Sequence, residues 1–299
     1  RGNRQEKEAF DQKQEEVQTK QENQEEETQV VSNPNIRVLL MTNGYKNPIH
    51  SSVTVSSTTG LSITYGEKVE ECEAGTEVTF MPDDSRFQSG NIRIQAKEGE
   101  ITVNSLKRGY GIPSYQGILE LRTTAEGIAI INELPVENYL CRVVPSEMPS
   151  GYEIEALKAQ AVCARTYAFM QRKSNTYSAY GAQIDDSTQF QVYNNVEPDE
   201  KTAQAVQETY GKMLYYNENP ITAYYFSTSC GTTTNAAIWD SDPEDTPYLR
   251  CLSLQTARSR LSFASEETFA SFIKKKNFPA YDASYPLYRW NFKTNGTII

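Results

Sequence analysis

Hydrophobic positions along the chain switch period once, near Leu134, and that switch predicts the layout. From Ile36 onward the apolar residues come in short runs or alternate with polar ones. Ile36-Arg37-Val38-Leu39-Leu40-Met41 reads as a buried strand. Val53-Thr54-Val55, Leu61-Ser62-Ile63-Thr64-Tyr65, Glu77-Val78-Thr79-Phe80 and Ile92-Arg93-Ile94 repeat with period two. Ile101-Thr102-Val103, Ile118-Leu119-Glu120-Leu121 and Ile128-Ala129-Ile130-Ile131 continue the set, with Gly60, Gly66, Gly90, Gly99, Gly109, Gly111 and Gly127 as turn punctuation. Residues 34–133 are therefore expected to form a β-rich subdomain.

Past Leu134-Pro135 the spacing lengthens to three and four. Val136 to Val144 predicts a short helix, with Pro135 suited to its first turn. Pro145-Ser146-Glu147-Met148-Pro149-Ser150-Gly151 reads as a rigid loop between two prolines. A long helix follows from about Glu153 to Arg172, its narrow apolar face made by Ile154, Leu157, Ala161, Ala164 and Ala168. Lys158 and Arg165 sit two turns apart on a neighbouring stripe, a spacing that lets both enter one cleft. Another helix fits Asp199 to Thr209 and ends at Gly211. Lys212 to Tyr216 and Ile221 to Ser229 read as a hairpin around Asn217-Glu218-Asn219. Ser265 to Lys276 should be a late helix with a basic end. The fold class expected is α+β: a β-rich half, then a mixed helical and strand half at 134–280 that forms a substrate cleft. Residues 281–299 read as the start of a further, truncated segment.

Composition adds a third region. Residues 1–33 hold nine acidic, five basic and seven Gln residues and almost nothing apolar, so they read as a disordered, charged stalk. The net charge of −10 argues against nucleic acid, which demands a basic face. No stretch reaches the roughly 20 apolar residues that span a bilayer. The chain starts at Arg1 rather than Met, and a removed N-terminal membrane anchor is the expectation, with an extracytoplasmic location.

The chemistry is narrowed by what is scarce. Cys72, Cys141, Cys163, Cys230 and Cys251 form no CxxC pair and no metal-ligand spacing. His50 is the single histidine, in a turn-like stretch before a strand, and reads as structural. Carboxylates, hydroxyls, amides, Lys and Arg are left to do the work.

Leu134 to Phe169 runs LPVENYLCRVVPSEMPSGYEIEALKAQAVCARTYAF. This stretch resembles the stage II sporulation protein D family of lytic transglycosylases, whose signature is a Ser-Glu-Met-Pro loop, then Glu-Ala-Leu-Lys-Ala-Gln-Ala and Ala-Arg-Thr-Tyr. Weaker blocks follow in the family's order: Asp186 with Gln191-Val192-Tyr193, then Phe226-Ser227-Thr228-Ser229-Cys230-Gly231-Thr232-Thr233 leading to Trp239, and Pro247-Tyr248-Leu249. The resemblance implies cleavage of the β-1,4 bond between N-acetylmuramic acid and N-acetylglucosamine in peptidoglycan glycan strands stripped of stem peptides. A 1,6-anhydro end forms and no water is consumed. It also implies a place in septal wall remodelling during engulfment, with stage II sporulation proteins P and M as partners.

Glu147 fits that chemistry on physical grounds. Most glycosidases need two carboxylates. Here one suffices, because the sugar's own C6 hydroxyl attacks the anomeric carbon, and one Glu protonates the leaving oxygen and takes the hydroxyl proton. The role asks for partial desolvation, which helps an acid keep its proton near neutrality. The plainer alternative is that Glu147 supports the start of the next helix. Lys158 and Arg165 are candidates to bind the lactyl carboxylate or position Glu147, against the alternative of a solvated helix flank. Gln191, Tyr193, Ser227, Ser229, Thr233 and Asn235 are candidate sugar contacts, with Gln160 and Trp239 behind them; a Ser/Thr-rich turn or a core aromatic is the plain reading. Some family members carry His or Cys just before the Gln-x-Tyr block, where a metal sits. Gln189 and Phe190 stand there in this chain, so no metal and no cofactor is expected. The competing function is a non-catalytic, glycan-binding enhancer of a cell-wall amidase.

Overall fold

The computed structural model describes residues 33–239, 242, 244–256, 265–275 and 278–289. They fall into two compact units that divide between Met213 and Leu214. Of the stalk expected at 1–33 only Asn33 is among the described residues, and residues 290–299 of the segment expected at 281–299 lie outside them. The architecture is α+β.

In the first unit the strands are β1 (Asn35–Leu39), β2 (Ile49–His50), β3 (Val53–Ser56), β4 (Leu61–Tyr65), β5 (Lys68–Cys72), β6 (Val78–Phe80), β7 (Ile92–Ala96), β8 (Ile101–Val103), β9 (Ser114–Tyr115), β10 (Ile118–Thr124), β11 (Gly127–Pro135) and β12 (Ile184–Asp185). The helices are α1 (Val136–Glu147), α2 (Ile154–Gln171) and α3 (Glu200–Glu208). A large sheet runs in the order β12-β1-β11-β10-β7-β4-β5, with β2 also paired to β11, and a smaller one runs β6-β3-β8-β9. Only the β1–β12 pairing in the large sheet is parallel.

Register explains the alternation. Ile36, Val38, Leu61, Ile63, Ile92, Ile94, Leu119, Leu121, Ile128 and Ile130 project to one side and are fully buried. That face is the core. The other is apolar only at its β1–β11 end, where Leu39, Ala129 and Ile131 pack with Met41, Ala182 and the rings of Tyr45, Tyr177 and Tyr180. Across β10 and β7 the same face turns ionic: Glu120 meets Arg37, Arg93 and Arg122, and Glu133 meets Arg37 and Arg93. β11, buried on both sides, leads directly into α1, which packs on β1 and β11.

Two expectations change here. The segment Pro145 to Glu147 is the last turn of α1 rather than a loop. A proline costs a helix one amide donor. Here the bond to Cys141 O is given up, yet the turn closes, since Met148 N still donates to Val144 O at 2.9 Å. His50 is buried in β2 rather than placed in a surface turn; its Nε2 lies 2.8 Å from Leu40 O, and burial pushes its pKa down.

The second unit has shorter elements: β13 (Tyr215–Tyr216) and β14 (Asn219–Pro220), a 3-10 turn at Ala236–Trp239 and α4 (Glu266–Lys274). The expected hairpin exists in miniature. Asn217 and Glu218 both take positive φ, 48° and 63°, the pairing that a two-residue turn of this hand needs. Ser265 caps α4 with a reciprocal bond to Thr268. The core is small: Phe272, Phe278, Ala280 and Tyr288, with Cys230 against them.

Candidate active site

Glu147 is half-buried at the final residue of α1, whose Val136, Tyr139, Leu140, Val143 and Val144 anchor it in the core. Its Oε1 accepts the backbone N–H of Val192 at 2.6 Å. The neighbouring Ser146 hydroxyl donates to Arg142 O at 2.7 Å and accepts from Asn195 N at 3.0 Å. Asn194 N also donates to Arg142 O, at 3.2 Å. The segment 192–195 is thus tied to the end of α1 at Arg142, Ser146 and Glu147.

Four tyrosines and the side chains of Asn132, Gln191 and Asn194 build that support. Tyr193 is fully buried, its ring 4.8 Å from that of Tyr139 and 5.8 Å from that of Tyr115. Its hydroxyl donates to Asn132 Oδ1 at 2.7 Å, and Asn132 Nδ2 donates to the carbonyls of Gln116 and Ile118. Burial raises the Tyr193 phenol far above its usual range. Gln191, also buried, accepts from Tyr139 Oη and donates to Ala164 O, both at 3.3 Å, bridging α1 and α2. Asn194 takes φ 57°, a left-handed geometry that Asn tolerates, and its side chain meets Tyr110 Oη and Ser114 O. Arg142 is ion-paired with Glu100 beside it.

Lys158 and Arg165 both lie on α2, and they differ. Lys158 bridges Glu155 and Glu208 at 2.7 and 2.6 Å, and those hydrogen bonds raise its pKa. Arg165 is 2% exposed. Its Nε and Nη2 grip Glu137, and its other donors reach Thr209 Oγ1 and the carbonyls of Ala161, Val206 and Lys212. The guanidinium thereby fastens α1, α2 and α3 to one another.

Asp186 is buried and paired with Arg108, and its Oδ1 accepts Met41 N at 3.0 Å. Burial pushes its pKa up to about 6 against the pull of Arg108. Gln189 N caps back to Ser187 Oγ, and Phe190 packs on Tyr177. Among the described residues no three His, Cys, Asp or Glu side chains gather as a metal site.

The remaining candidates belong to the second unit. Ser227 is exposed. Ser229 accepts from Gly231 N and its own amide donates to Asp282. Thr233 Oγ1 donates to Arg250 O and accepts from Leu252 N, and Asn235 Oδ1 accepts from Ala237 N. The Gly231 and Ala237 contacts close local turns, while those to Asp282, Arg250 and Leu252 join distant segments of the unit.

Sequence reasoning missed the Val192 amide, Ser146 as a clip, and Asn194 and Asn195. An Asn-Asn pair after a Gln-x-Tyr block was the one available signal, since Asn favours left-handed turns.

The comparisons with known proteins fall on this part of the chain. Residues 124–216 match the family model for stage II sporulation protein (SpoIID), and that range contains Glu147 and the whole 186–195 segment. The chain is similar to stage II sporulation protein D of Bacillus subtilis (strain 168), 33% identical over 207 residues, covering 62% of this chain and 58% of the relative. It is 36% identical over 155 residues to stage II sporulation protein D of Bacillus amyloliquefaciens, covering 47% of this chain and 44% of that one. It is 41% identical over 108 residues to the amidase enhancer of Bacillus subtilis (strain 168), covering 36% of this chain but 14% of the relative. The chain thus spans about half the length of the two sporulation proteins it matches. No helix among the described residues is long and apolar enough to cross a membrane. Residues 124–216 thus form a SpoIID-like domain, the part of this chain that the family of sporulation proteins matches.

Proposed function

We propose that this protein is a peptidoglycan lytic transglycosylase with Glu147 as its acid and base. The observation that carries the reading is the fixed Glu147 carboxyl, half-buried at a helix end with Oε1 on the Val192 amide. Carbonyl groups at the end of a helix disfavour a carboxylate, whereas an amide donor favours it. A group under both influences is suited to give a proton and take one back. Glu147 first protonates the glycosidic oxygen as the bond to the anomeric carbon breaks. It then accepts the proton of the muramic acid C6 hydroxyl as that oxygen closes the 1,6-anhydro ring. Atoms balance without water.

Lys158 is the candidate for the lactyl carboxylate, because its partners are side chains near the surface, able to exchange for a ligand. Arg165 is better read as the bolt between helices. Gln191 and Tyr193 act through support of Val192. The hydroxyls and amides of Ser227, Ser229, Thr233 and Asn235 remain proposed sugar contacts. The biological setting proposed is extracytoplasmic, at septal wall during engulfment, with stage II sporulation proteins P and M as partners.

The test is purified protein on denuded glycan strands, with mass detection of anhydro ends. Glu147→Gln keeps the shape and removes the proton, and turnover should fall by about 10² to 10⁴-fold while the glycan still binds. Wild-type turnover in the Gln variant would leave Glu147 a structural residue. The likeness to an amidase enhancer supports a second reading, a glycan-binding activator. In that case a cell-wall amidase is stimulated equally by the wild type and the Gln variant, and no anhydro ends form.

A further inference from the structure

The 186–195 segment is irregular, yet it must present one amide to one carboxyl oxygen. What holds it comes from elsewhere in the chain. Asn195 Oδ1 accepts two hydrogen bonds, from Tyr45 Oη at 3.0 Å and from Gly109 N at 2.8 Å. Its own N–H clips to Ser146 Oγ, the side chain adjoining Glu147. Both donors lie outside the family-matched range of 124–216.

Those donors are themselves anchored. Arg108 and Gly111 exchange backbone hydrogen bonds at 2.8 and 3.0 Å, closing a tight turn that aims the Gly109 amide. The Arg108 side chain is fully buried. Its Nη2 donates to Met41 O and pairs with Asp186, and its guanidinium covers the Tyr45 ring at 4.7 Å. Asp186 O in turn accepts Tyr193 N at 3.3 Å. One arginine thus fixes both ends of the segment that carries Val192. Contact is close enough to need glycine: a Cβ on Gly109 would lie 2.5 Å from Asn195 O. A passive neighbour leaves more room than that.

We propose that Asn195 is a positioning residue for the Glu147 carboxyl, set in register by Tyr45 and Gly109 from outside the family domain. The proposal rests on the reading of Glu147 as the reacting group. Misplacing a reacting group by about 1 Å can cost on the order of 10²-fold in rate. The segment 192–195 has no regular secondary structure to enforce such accuracy, so side-chain clips must do it.

The variants are Asn195→Ala and the milder Tyr45→Phe, which removes a single hydroxyl. On denuded glycan, Asn195→Ala should lower kcat by about 10- to 100-fold with KM changed less than about twofold. Tyr45→Phe should follow in the same direction by about threefold. In a Glu147→Gln background, Asn195→Ala should add no further loss, because its effect passes through that carboxyl. A second readout needs no activity. The Val192 amide cross-peak should move with pH in the wild type and stay still in Glu147→Gln. In Asn195→Ala its excursion should shrink. An unchanged kcat and an unchanged excursion in folded Asn195→Ala overturn the proposal. Loss of the excursion together with a wild type that makes no anhydro ends upholds the positioning and sinks the transglycosylase reading instead.

Discussion

On the ionic face of the large sheet, Arg37, Arg93 and Arg122 interleave with Glu120 and Glu133; under the helices, Arg165 meets Glu137 alone. Both arrangements look alike as distances, with ion pairs at 3.0 Å for Arg37–Glu120 and 2.7 Å for Arg165–Glu137. Their surroundings differ. The Arg93 and Arg122 side chains are 40% and 30% exposed, whereas Arg165 is 3% and Glu137 12%. In the ladder each carboxylate has several cations that can substitute for one another. Burial works against the Glu120 carboxylate, yet hydrogen bonds and charge from Arg122 and Arg37 outweigh it and hold its pKa below the usual range. At Arg165 nothing substitutes. A buried pair costs much desolvation and gives little net stability while intact, but losing one member strands the other. A wet ladder loses rungs cheaply.

The sharpest way to break the comparison is Arg165→Met. It leaves the Glu137 carboxylate with the Gly211 amide at 3.3 Å and should cost about 3 to 5 kcal/mol by urea unfolding. Adding Glu137→Leu should recover much of that loss. A single-variant cost under about 1 kcal/mol would mean that the pair is effectively solvated.

The next effect is one of pH and concerns another buried arginine, Arg108. Asp186 has its pKa raised from 3.8 to about 6, so between those values the folded protein holds a proton that the unfolded chain releases. This group's stabilisation is therefore complete below about pH 4, declines through pH 6, and is flat above. Two units correspond to about 2 to 3 kcal/mol. Comparing unfolding midpoints of the wild type and Asp186→Asn from pH 4 to 7 isolates it. The wild type should lose ground to the variant as pH rises, and a wild-type advantage that grows with pH contradicts the sign. Smallest of all, Arg93→Ala should cost less than about 1 kcal/mol, and less again in high salt.

Short apolar runs and period-two alternation located eight strands of the first unit because each of them buries at least one face. Lys68-Val69-Glu70-Glu71-Cys72 escaped notice for the opposite reason: β5 is an edge strand, and Val69 is 59% exposed. Glu147 was legible as a residue type in a motif, but its place on a helix was not, since two prolines argue for a loop on local grounds. The setting of Arg165 could not be read at all. Glu137 is 28 residues away, and the carbonyls that absorb the remaining donors carry no sequence signature. The same holds for Asn195, whose partners lie 86 and 150 residues upstream. In the second unit, two-residue strands give no period to detect.

β1 has a consequence for anyone who wishes to cut this protein. It lies between β11 and β12, and Arg37 N reaches Gln183 Oε1 across 146 positions of chain. A ribosome emits β1 first and its second partner much later, so the strand waits through most of the unit's synthesis before it is flanked. Loop closure of that length slows folding more than it weakens the final state. Excising residues 124–216 along the homology boundary would remove the waiting strand altogether. The fragment would then carry β11 with both edges bare, since all of β10 but Thr124 is cut away too, and bare edges recruit other chains. Residues 35–39 should travel with any portable version of this domain.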